Sequence, residues 1–495
     1  MGKIENALIS VADKTGLVDF SAGLVRLGIK ILATSGTASF LKQNQIDCTE
    51  ISAITGSSDY LGGLVKTLHH GIHLGILASR DDCSHMEQLR RSGFPKIDMV
   101  VVNFYPLKKT QERSLDFIDI GGPAMARAAA KNFRSTVPIP HPKWYEPVLG
   151  ELEKYREISS DLRWQLALET LSMTSAYDCQ ILDVVGMEWI GRDRVALALE
   201  KQMELRYGEN PHQKAYLYGF AESSGLEVLK GDLSYNNILD VDCCIELLRD
   251  LEQRAAVVVK HASPCGVAQS DQPISALESA YGCDPVSAYG GVIGVNFKFD
   301  EECASFLAKK FVECIVAPDF DAASLKLLEK KKTRLVKTRG DESKWLYRSA
   351  LGGMLIQSKD SVVLDDLEFV SGDPVDVRII EDLKFAWKVV KHVKSNAIVI
   401  AKDMKTIGIG GGQPSRIDST RIAIMKAEQA GHCLDGSVMA SDGFFPFPDC
   451  IELAHKHGIC AVIQPGGSIR DKEVIQRAKE LSLTMALTRI RHFRH

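Results

Sequence analysis

Residues 257–259 are all valine, and they lead into Lys260-His261-Ala262-Ser263-Pro264-Cys265-Gly266. A short β-branched run of this kind reads as a buried strand, and Ser-Pro-Cys-Gly reads as a tight turn closing it. Lys260 and His261 are thereby set at the carboxyl end of a strand, where open α/β sheets place their chemistry. An imidazole titrates near neutral pH and suits proton transfer. A neighbouring ammonium suits a group that gains negative charge. The plain alternative is a Lys-His pair at a surface turn, but this pair is not isolated. Arg206-Tyr207-Gly208-Glu209-Asn210-Pro211-His212 lies upstream. Cys283-Asp284-Pro285-Val286-Ser287-Ala288-Tyr289-Gly290-Gly291 and Gly408-Ile409-Gly410-Gly411-Gly412-Gln413-Pro414-Ser415-Arg416 lie downstream.

A second constellation occupies the first third of the chain. Leu32-Ala33-Thr34-Ser35-Gly36-Thr37 joins an expected strand to an expected helix. Small hydroxyl residues and glycine there expose backbone N–H groups at a helix N-terminus, which favours a phosphate; a simple N-cap turn is the alternative. Ser10-Val11-Ala12-Asp13-Lys14-Thr15-Gly16 forms another polar turn, and Lys66-Thr67 adds a cation. Asn103-Phe104-Tyr105 follows a third strand, and Asp119-Ile120-Gly121-Gly122 precedes a helix containing Arg127 and Lys131. In one parallel sheet these turns would share an edge and surround a single phosphorylated ligand.

The elements that must position these residues can be read from apolar spacing. Ala7-Leu8-Ile9-Ser10-Val11, Ile29-Lys30-Ile31-Leu32-Ala33 and Met99-Val100-Val101-Val102 read as parallel strands, with amphipathic stretches such as 17–27 between them. That alternation implies an α/β doubly wound sheet. Residues 141 to about 200 read as polar connecting helices, and the two expected domains are 1–198 and 199–495. The charged stretch 321–347 is expected to be a solvated helix and loop. Ala397-Ile398-Val399-Ile400 after Ser395-Asn396 loosely repeats the strand before Lys260, so two related subdomains are suggested.

Composition narrows the function. The chain has 495 residues, enough for two or three cores. Sixty basic and 64 acidic residues give a formal charge of −4, which argues against a nucleic-acid platform. No apolar run approaches the length of a membrane span, and the first residues lack a signal peptide's apolar core. Twelve scattered cysteines with no Cys-x-x-Cys pair suit reduced thiols in the cytoplasm.

Together these motifs resemble the bifunctional AICAR transformylase/IMP cyclohydrolase family of purine biosynthesis. The resemblance implies an N-terminal methylglyoxal-synthase-like cyclohydrolase domain and a C-terminal transformylase built of two cytidine-deaminase-like subdomains. It implies formyl transfer from 10-formyltetrahydrofolate, as cosubstrate, to AICAR, then dehydrative closure of formyl-AICAR to IMP. By the family motif, Lys131 is the candidate proton-transfer residue for cyclisation, with Asp119, Tyr105 and Lys66 as partners. Asp13, Lys14, Ser35, Gly36, Thr37, Thr67 and Asn103 are candidate nucleotide contacts. For formyl transfer His261 is the candidate base, because the delocalised AICAR amine must shed a proton as it attacks. Lys260 is the candidate to stabilise the oxyanion or to protonate the folate leaving nitrogen, and Asn396 to orient the imidazole or the carboxamide. Arg206, Tyr207, Gly290, Arg416, Phe444 and Arg491 match the family's nucleotide contacts. Glu313 stands where the family has an acidic residue, and Asp449 is a folate-side or base contact. The resemblance also implies a homodimer, no catalytic metal, and no nucleic-acid or membrane partner.

There are departures from the family pattern. His70 stands where proline is usual and Leu74 where a small residue is usual; Gly411, Pro414 and Arg489 also differ. A zinc nucleobase deaminase is a rival reading, but that chemistry needs His-x-Glu and Pro-Cys-x-x-Cys. Here His261 is followed by Ala262-Ser263, and Cys265 by Gly266-Val267-Ala268. A non-catalytic nucleotide sensor would be expected to lack Lys131, Tyr105 or Lys260-His261, and all are present.

Overall fold

The chain divides into two compact units, Met1–Leu199 and Glu200–His495. The computed structural model describes all residues except 1–2, 57–60, 62–64, 106, 108–113, 186–192, 221–224, 340–343, 363, 365 and 373–375.

The first unit is a doubly wound parallel sheet. Its strands are β1 (Asn6–Ser10), β2 (Lys30–Ala33), β3 (Thr49–Glu50), β4 (Met99–Val102) and β5 (Val137–Ile139). They lie in the order β3-β2-β1-β4-β5, and every pairing is parallel. The helices are α1 (Leu17–Arg26), α2 (Ser35–Gln43), α3 (Ile51–Thr55), α4 (His70–Leu77), α5 (Cys83–Ser92), α6 (Gly121–Lys131), α7 (Tyr145–Tyr155) and α8 (Ser160–Val184). Alternation along the strands decides which helix covers which face. Ala7 and Ile9 of β1 pack with Leu17, Phe20 and Leu24 of α1 and with Val148 and Leu152 of α7. Leu8, between them, packs with Ile72 and Ile76 of α4 and Met125 and Ala129 of α6. Chain order reverses direction between β1 and β4, so the crevice at their carboxyl ends is the topological switch point.

The second unit opens with the hairpin β6 (Glu200–Leu205) and β7 (Ala215–Gly219). Next come β8 (Leu226–Lys230), α9 (Tyr235–Arg249), β9 (Ala255–Lys260), β10 (Ser263–Gln269), α10 (Pro273–Cys283), α11 (Pro285–Ala288), β11 (Val292–Val295), α12 (Glu301–Leu307), β12 (Cys314–Ala317), α13 (Ala322–Leu328) and β13 (Arg334–Thr338). A second hairpin follows, β14 (Trp345–Ala350) with β15 (Gly353–Ser358). The chain then continues through β16 (Glu368–Ser371), α14 (Val377–Val390), β17 (Ile398–Lys402), β18 (Lys405–Gly410), α15 (Arg416–Gln429), β19 (Val438–Ser441), α16 (Asp449–Lys456), β20 (Ala461–Gln464), α17 (Asp471–Glu480) and β21 (Thr484–Leu487).

These elements form one 12-stranded mixed sheet, ordered β16-β21-β20-β19-β17-β18-β10-β9-β11-β12-β13-β8. Read outward from the β10/β18 joint, the halves are alike. Each has an antiparallel hairpin, three mutually parallel strands, and an antiparallel edge strand. The loose repeat in the sequence is therefore a structural repeat. Close packing repeats as well. A Cβ on Gly266 of β10 would lie 1.9 Å from the Ala280 carbonyl oxygen of α10, and one on Gly408 of β18 would lie 2.2 Å from that of Ala423 in α15. Only glycine lets each helix approach its strand so closely.

Two local expectations are corrected. The chain reverses at His261-Ala262, not at Ser-Pro-Cys-Gly. Both turn residues have positive φ (56° and 54°), and Ser263 already pairs with Lys260. A two-residue loop with both residues left-handed matches the twist of paired strands, so Ser263 to Gly266 are free to start β10, with an irregularity between Pro264 and Gly266. The charged stretch 321–347 contains β13, a strand second from the edge of the sheet, between β12 and β8. Leu335 and Val336 are buried there, while Arg334 and Lys337 are paired with Glu313 and Asp319.

Candidate active sites

In the first unit the expected turns do share the carboxyl edge. Asn103, just past β4, binds the turn after β1: its Oδ1 accepts the Ala12 and Asp13 N–H groups at 2.7 and 2.9 Å, and its Nδ2 donates to the Asp13 carbonyl at 3.0 Å. Thr37 ties α2 to the same turn, its Oγ1 accepting the Val11 N–H at 3.3 Å. Lys66 Nζ donates to Ser35 Oγ at 3.1 Å at the start of α2. The buried Thr67 lies under Gly121, where a Cβ would meet its Oγ1 at 2.1 Å. Asp119 accepts the Gly122 N–H at 2.9 Å, and its own N–H donates to the Tyr177 hydroxyl at 2.8 Å. Burial pushes the Asp119 carboxyl above its usual range, opposed by the Gly122 and Gly121 N–H groups. The result is a crevice with backbone donors, an ammonium and a carboxyl held toward neutrality, suited to a phosphorylated ligand and proton transfer. Asp13 is held low by the Thr15 hydroxyl and N–H, Lys14 follows it in the same turn, and Tyr105 is exposed beside the crevice. Lys131 ends α6, ten residues past Gly121 and so about 15 Å along the helix axis, and it is exposed.

A cavity of about 510 Å³ lies at the opposite edge of the sheet, lined by Arg80, Lys96, Asp98, Arg134 and Arg163 among others. Arg80 and Arg163 spend hydrogen bonds on main-chain carbonyls there, Gly75 and Ile97 for Arg80 and Ile158 and Phe133 for Arg163. We therefore place the candidate site at the switch point.

In the second unit, Lys260 ends β9 and its Nζ donates to the Tyr289 carbonyl at 2.7 Å, next to Gly290. Gly290 has φ 70°, and its N–H donates to Phe311 O. Glu313 follows at the start of β12, ion-paired with Arg334. His261 is exposed at the turn. The turn is gripped twice: Asp240 of α9 accepts the Ala262 N–H at 2.6 Å, and Lys394 Nζ donates to the His261 carbonyl at 3.2 Å. Arg206 and Tyr207 pack over the start of α9, the Tyr235 N–H donating to Tyr207 O at 3.0 Å and Arg206 Nη2 to the Tyr207 hydroxyl at 2.6 Å.

Lys394 leads into Ser395-Asn396. Asn396 Oδ1 accepts Arg416 Nη2 at 2.7 Å, while its Nδ2 donates to the carbonyls of Gln413 and Pro414 at 2.9 and 3.1 Å. Arg416, expected as a nucleotide contact, is only 7% exposed, and its guanidinium is ion-paired with the buried Asp442. Asp442 also accepts the Ala397 N–H at 3.0 Å and the Ser395 hydroxyl. The terminal segment closes over this loop. The Ser395 N–H donates to Arg494 O, and the His492 N–H to Asp442 O, each at 2.9 Å. Arg491 is exposed, its guanidinium 4.3 Å from the Phe493 ring. Phe444 is exposed and Phe445 fully buried, and Asp449 begins α16. A cavity of about 130 Å³ lies beside β10, between the two halves of the sheet. At its wall Lys426 of α15 pairs with Asp284 of the other half at 2.8 Å.

Sequence reasoning missed Asp240, Lys394 as a tether, and Asp442. All three act through backbone or through another side chain; Asp240 and Asp442 lie in no motif read for chemistry, and Lys394 directly precedes Ser395-Asn396. Among the described residues, no cluster of three or more His, Cys, Asp or Glu is arranged to hold a metal ion.

The chain is thus a two-part α/β protein with one candidate site in each unit. An MGS-like domain model matches residues 16–124, and the AICARFT/IMPCHase bienzyme model matches residues 129–426. Relatives described as bifunctional purine biosynthesis protein PurH align along nearly the whole chain. The one from Persephonella marina is 46% identical over 99% of both chains. That from a Thermoanaerobacter species is 44% identical over 99% of this chain and 100% of its own, and that from Rhodopirellula baltica 43% over 99% of both. This chain belongs to the AICARFT/IMPCHase bienzyme family, whose members join AICAR formyltransferase and IMP cyclohydrolase in one polypeptide.

Proposed function

We propose that the chain carries out the final two steps of IMP synthesis with one activity in each unit: formyl transfer to AICAR in residues 200–495, and ring closure of formyl-AICAR in residues 1–199. The formyl donor is 10-formyltetrahydrofolate. The enzyme works in the cytoplasm as a homodimer whose transformylase sites are shared across the interface. In formyl transfer the AICAR 5-amino nitrogen attacks the formyl carbon, and His261 takes the amine proton. Lys260 faces the oxygen that gains charge, or returns a proton to the folate nitrogen as its bond to carbon breaks. Asn396 orients the carboxamide or the imidazole. In ring closure the carboxamide nitrogen attacks the new formyl carbon and water leaves; Lys66, Tyr105 and Asp119 are the groups that move protons, while the Asp13-Lys14 and Ser35-Gly36-Thr37 turns hold the nucleotide.

The observation that carries the transformylase reading is the 3.2 Å bond from Lys394 Nζ to the His261 carbonyl. It joins the Lys-His turn to Ser395-Asn396, so two motifs far apart in sequence meet at one place. The test supplies AICAR and 10-formyltetrahydrofolate to the full chain and follows IMP. His261→Ala should lower formyl transfer about 10²–10⁴-fold, the usual cost of losing a positioned base, with cyclisation of formyl-AICAR intact. A His261→Ala protein that transfers formyl within about threefold of wild type, far short of that loss, would rule out His261 as the base.

A further inference from the structure

The two halves of the second unit turn their central hairpins with the same device. In the first half, His261 and Ala262 are both left-handed, and Asp240 accepts the Ala262 N–H at 2.6 Å. In the second half, Asp403 and Met404 have φ 52° and 57°, and Asp382 accepts both of their N–H groups, at 2.9 and 2.7 Å. Asp240 and Asp382 each stand at the sixth residue of the helix that precedes the hairpin, α9 or α14, and both are buried. The lysine before each turn is placed alike too. Lys260 Nζ donates to Tyr289 O and Lys402 Nζ to Asp435 O, both at 2.7 Å.

Left-handed backbone is disfavoured for residues with a side chain, and two in succession persist only where the surroundings hold them. A buried carboxylate is itself disfavoured, and burial raises both of these carboxyls. Their shared role is to grip a turn. What differs is the cargo: one turn presents His261, the other a solvent-facing aspartate and a methionine.

We infer that Asp240 is a positioning residue for formyl transfer: it holds the His261-Ala262 turn and thereby aims the His261 side chain, while Asp382 holds an equivalent turn that carries no chemistry. This rests on His261 being the base. The repeat supplies an internal control, because both aspartates grip a turn, Asp240 through one N–H and Asp382 through two, while the turns present different side chains.

The experiment measures formyl-transfer kcat and KM for AICAR, the cyclisation rate and the melting temperature of the full-length protein in four variants. Asp240→Ala should lower formyl-transfer kcat roughly 10²-fold, the cost of misplacing a catalytic group by about an ångström. Its KM for AICAR should stay within about threefold of wild type, since ground-state binding is not removed, and cyclisation should be unaffected. Asp240→Asn keeps an oxygen for the Ala262 N–H and should recover kcat to within about threefold. Asp382→Ala should lower the melting temperature as Asp240→Ala does while keeping formyl-transfer kcat within about threefold. If Asp240→Ala does not fold, Asp240→Glu moves the acceptor by one methylene at constant charge and should show the same kcat loss. Equal losses in Asp240→Ala and Asp382→Ala would overturn the inference, as would wild-type kcat in Asp240→Ala or an Asn variant as impaired as the Ala one. His261→Ala separates the two levels. If it is active, the base assignment fails; if it is inactive beside a fully active Asp240→Ala, only the positioning role fails.

Discussion

Asp442→Ala, set beside a double variant that also removes Arg416, should separate the stability of the second unit from its chemistry. Asp442 is 1% exposed and gathers three donors: the Arg416 guanidinium, the Ala397 N–H at 3.0 Å and the Ser395 hydroxyl. Deleting its carboxylate strands the Arg416 cation, itself 7% exposed, with only neutral acceptors: Ser441 Oγ at 2.8 Å, Asn396 Oδ1 at 2.7 Å and Ala397 O. Breaking a buried pair from one side costs about 3–5 kcal/mol, and the orphaned Ala397 N–H adds to this on the order of 1 kcal/mol. The groups are neighbours, so the two costs do not simply sum, and about 4 kcal/mol is the expected loss. In a unit of this size that lowers the melting temperature by about 6 °C, readable by scanning calorimetry on the full chain. Formyl transfer should fall roughly 10²-fold, because Asn396 is aimed through Arg416, while cyclisation in the other unit persists. Replacing both partners, Arg416→Met with Asp442→Leu, leaves no buried charge and should recover most of the melting temperature. It should not recover formyl transfer, because Asn396 has lost its guanidinium donor. An Asp442→Ala protein melting within about 2 °C of wild type, the shift expected for about 1 kcal/mol, would refute this reasoning. So would a double variant that regains activity along with stability.

For cyclisation, Lys66→Ala should cost roughly 10²-fold or more, whereas Lys131→Ala should cost less than about tenfold, since Lys131 sits about 15 Å along α6 from the crevice; equal losses in steady-state assays of formyl-AICAR closure would contradict the placement. The second unit should lose stability as the pH falls below about 6.5, the ordinary histidine value. His392 is buried between Asp250, whose Oδ2 lies 2.7 Å from Nε2, and Arg494, with Lys391 nearby. Burial depresses its pKa more than Asp250 raises it. A depressed folded pKa means that stability is fully present above the unfolded value and is lost as pH falls toward the folded one, at no more than about 1.4 kcal/mol per pH unit. His392→Gln should flatten that slope in urea melts between pH 7 and 5, and an unchanged slope would show that His392 is not its source.

Much of the fold was legible because the informative runs were short, apolar and β-branched. The runs at 7–11, 29–33, 99–102 and 256–259 all became strands, since a β-branched run of four or five residues has few other ways to bury itself. The stretch 321–347 misled because its charges outnumber its apolar residues. Leu335 and Val336 hold β13 in the sheet only because β12 and two ion pairs are there to receive it. The turn at His261-Ala262 was read two residues late for a related reason. Proline and glycine announce turns locally, whereas two left-handed non-glycine residues are held by Asp240 and Lys394, partners distant in sequence.

By itself the sequence determined which chemical groups this protein owns and the family it belongs to. Lys260-His261, Ser395-Asn396, Lys66-Thr67 and Asp119-Ile120-Gly121-Gly122 are contiguous motifs, and their residue types carry their meaning without coordinates. Only the tertiary structure decided which of those groups meet. It placed Lys66 at Ser35 and left Lys131 at the far end of α6. It turned Arg416 inward onto Asp442 and Asn396. It revealed that the second unit is one hairpin architecture built twice, with Asp240 and Asp382 in matching places. The physical reason is that a side chain's type is local, whereas its direction and burial are set by residues as much as 100 or more positions away that pack against it.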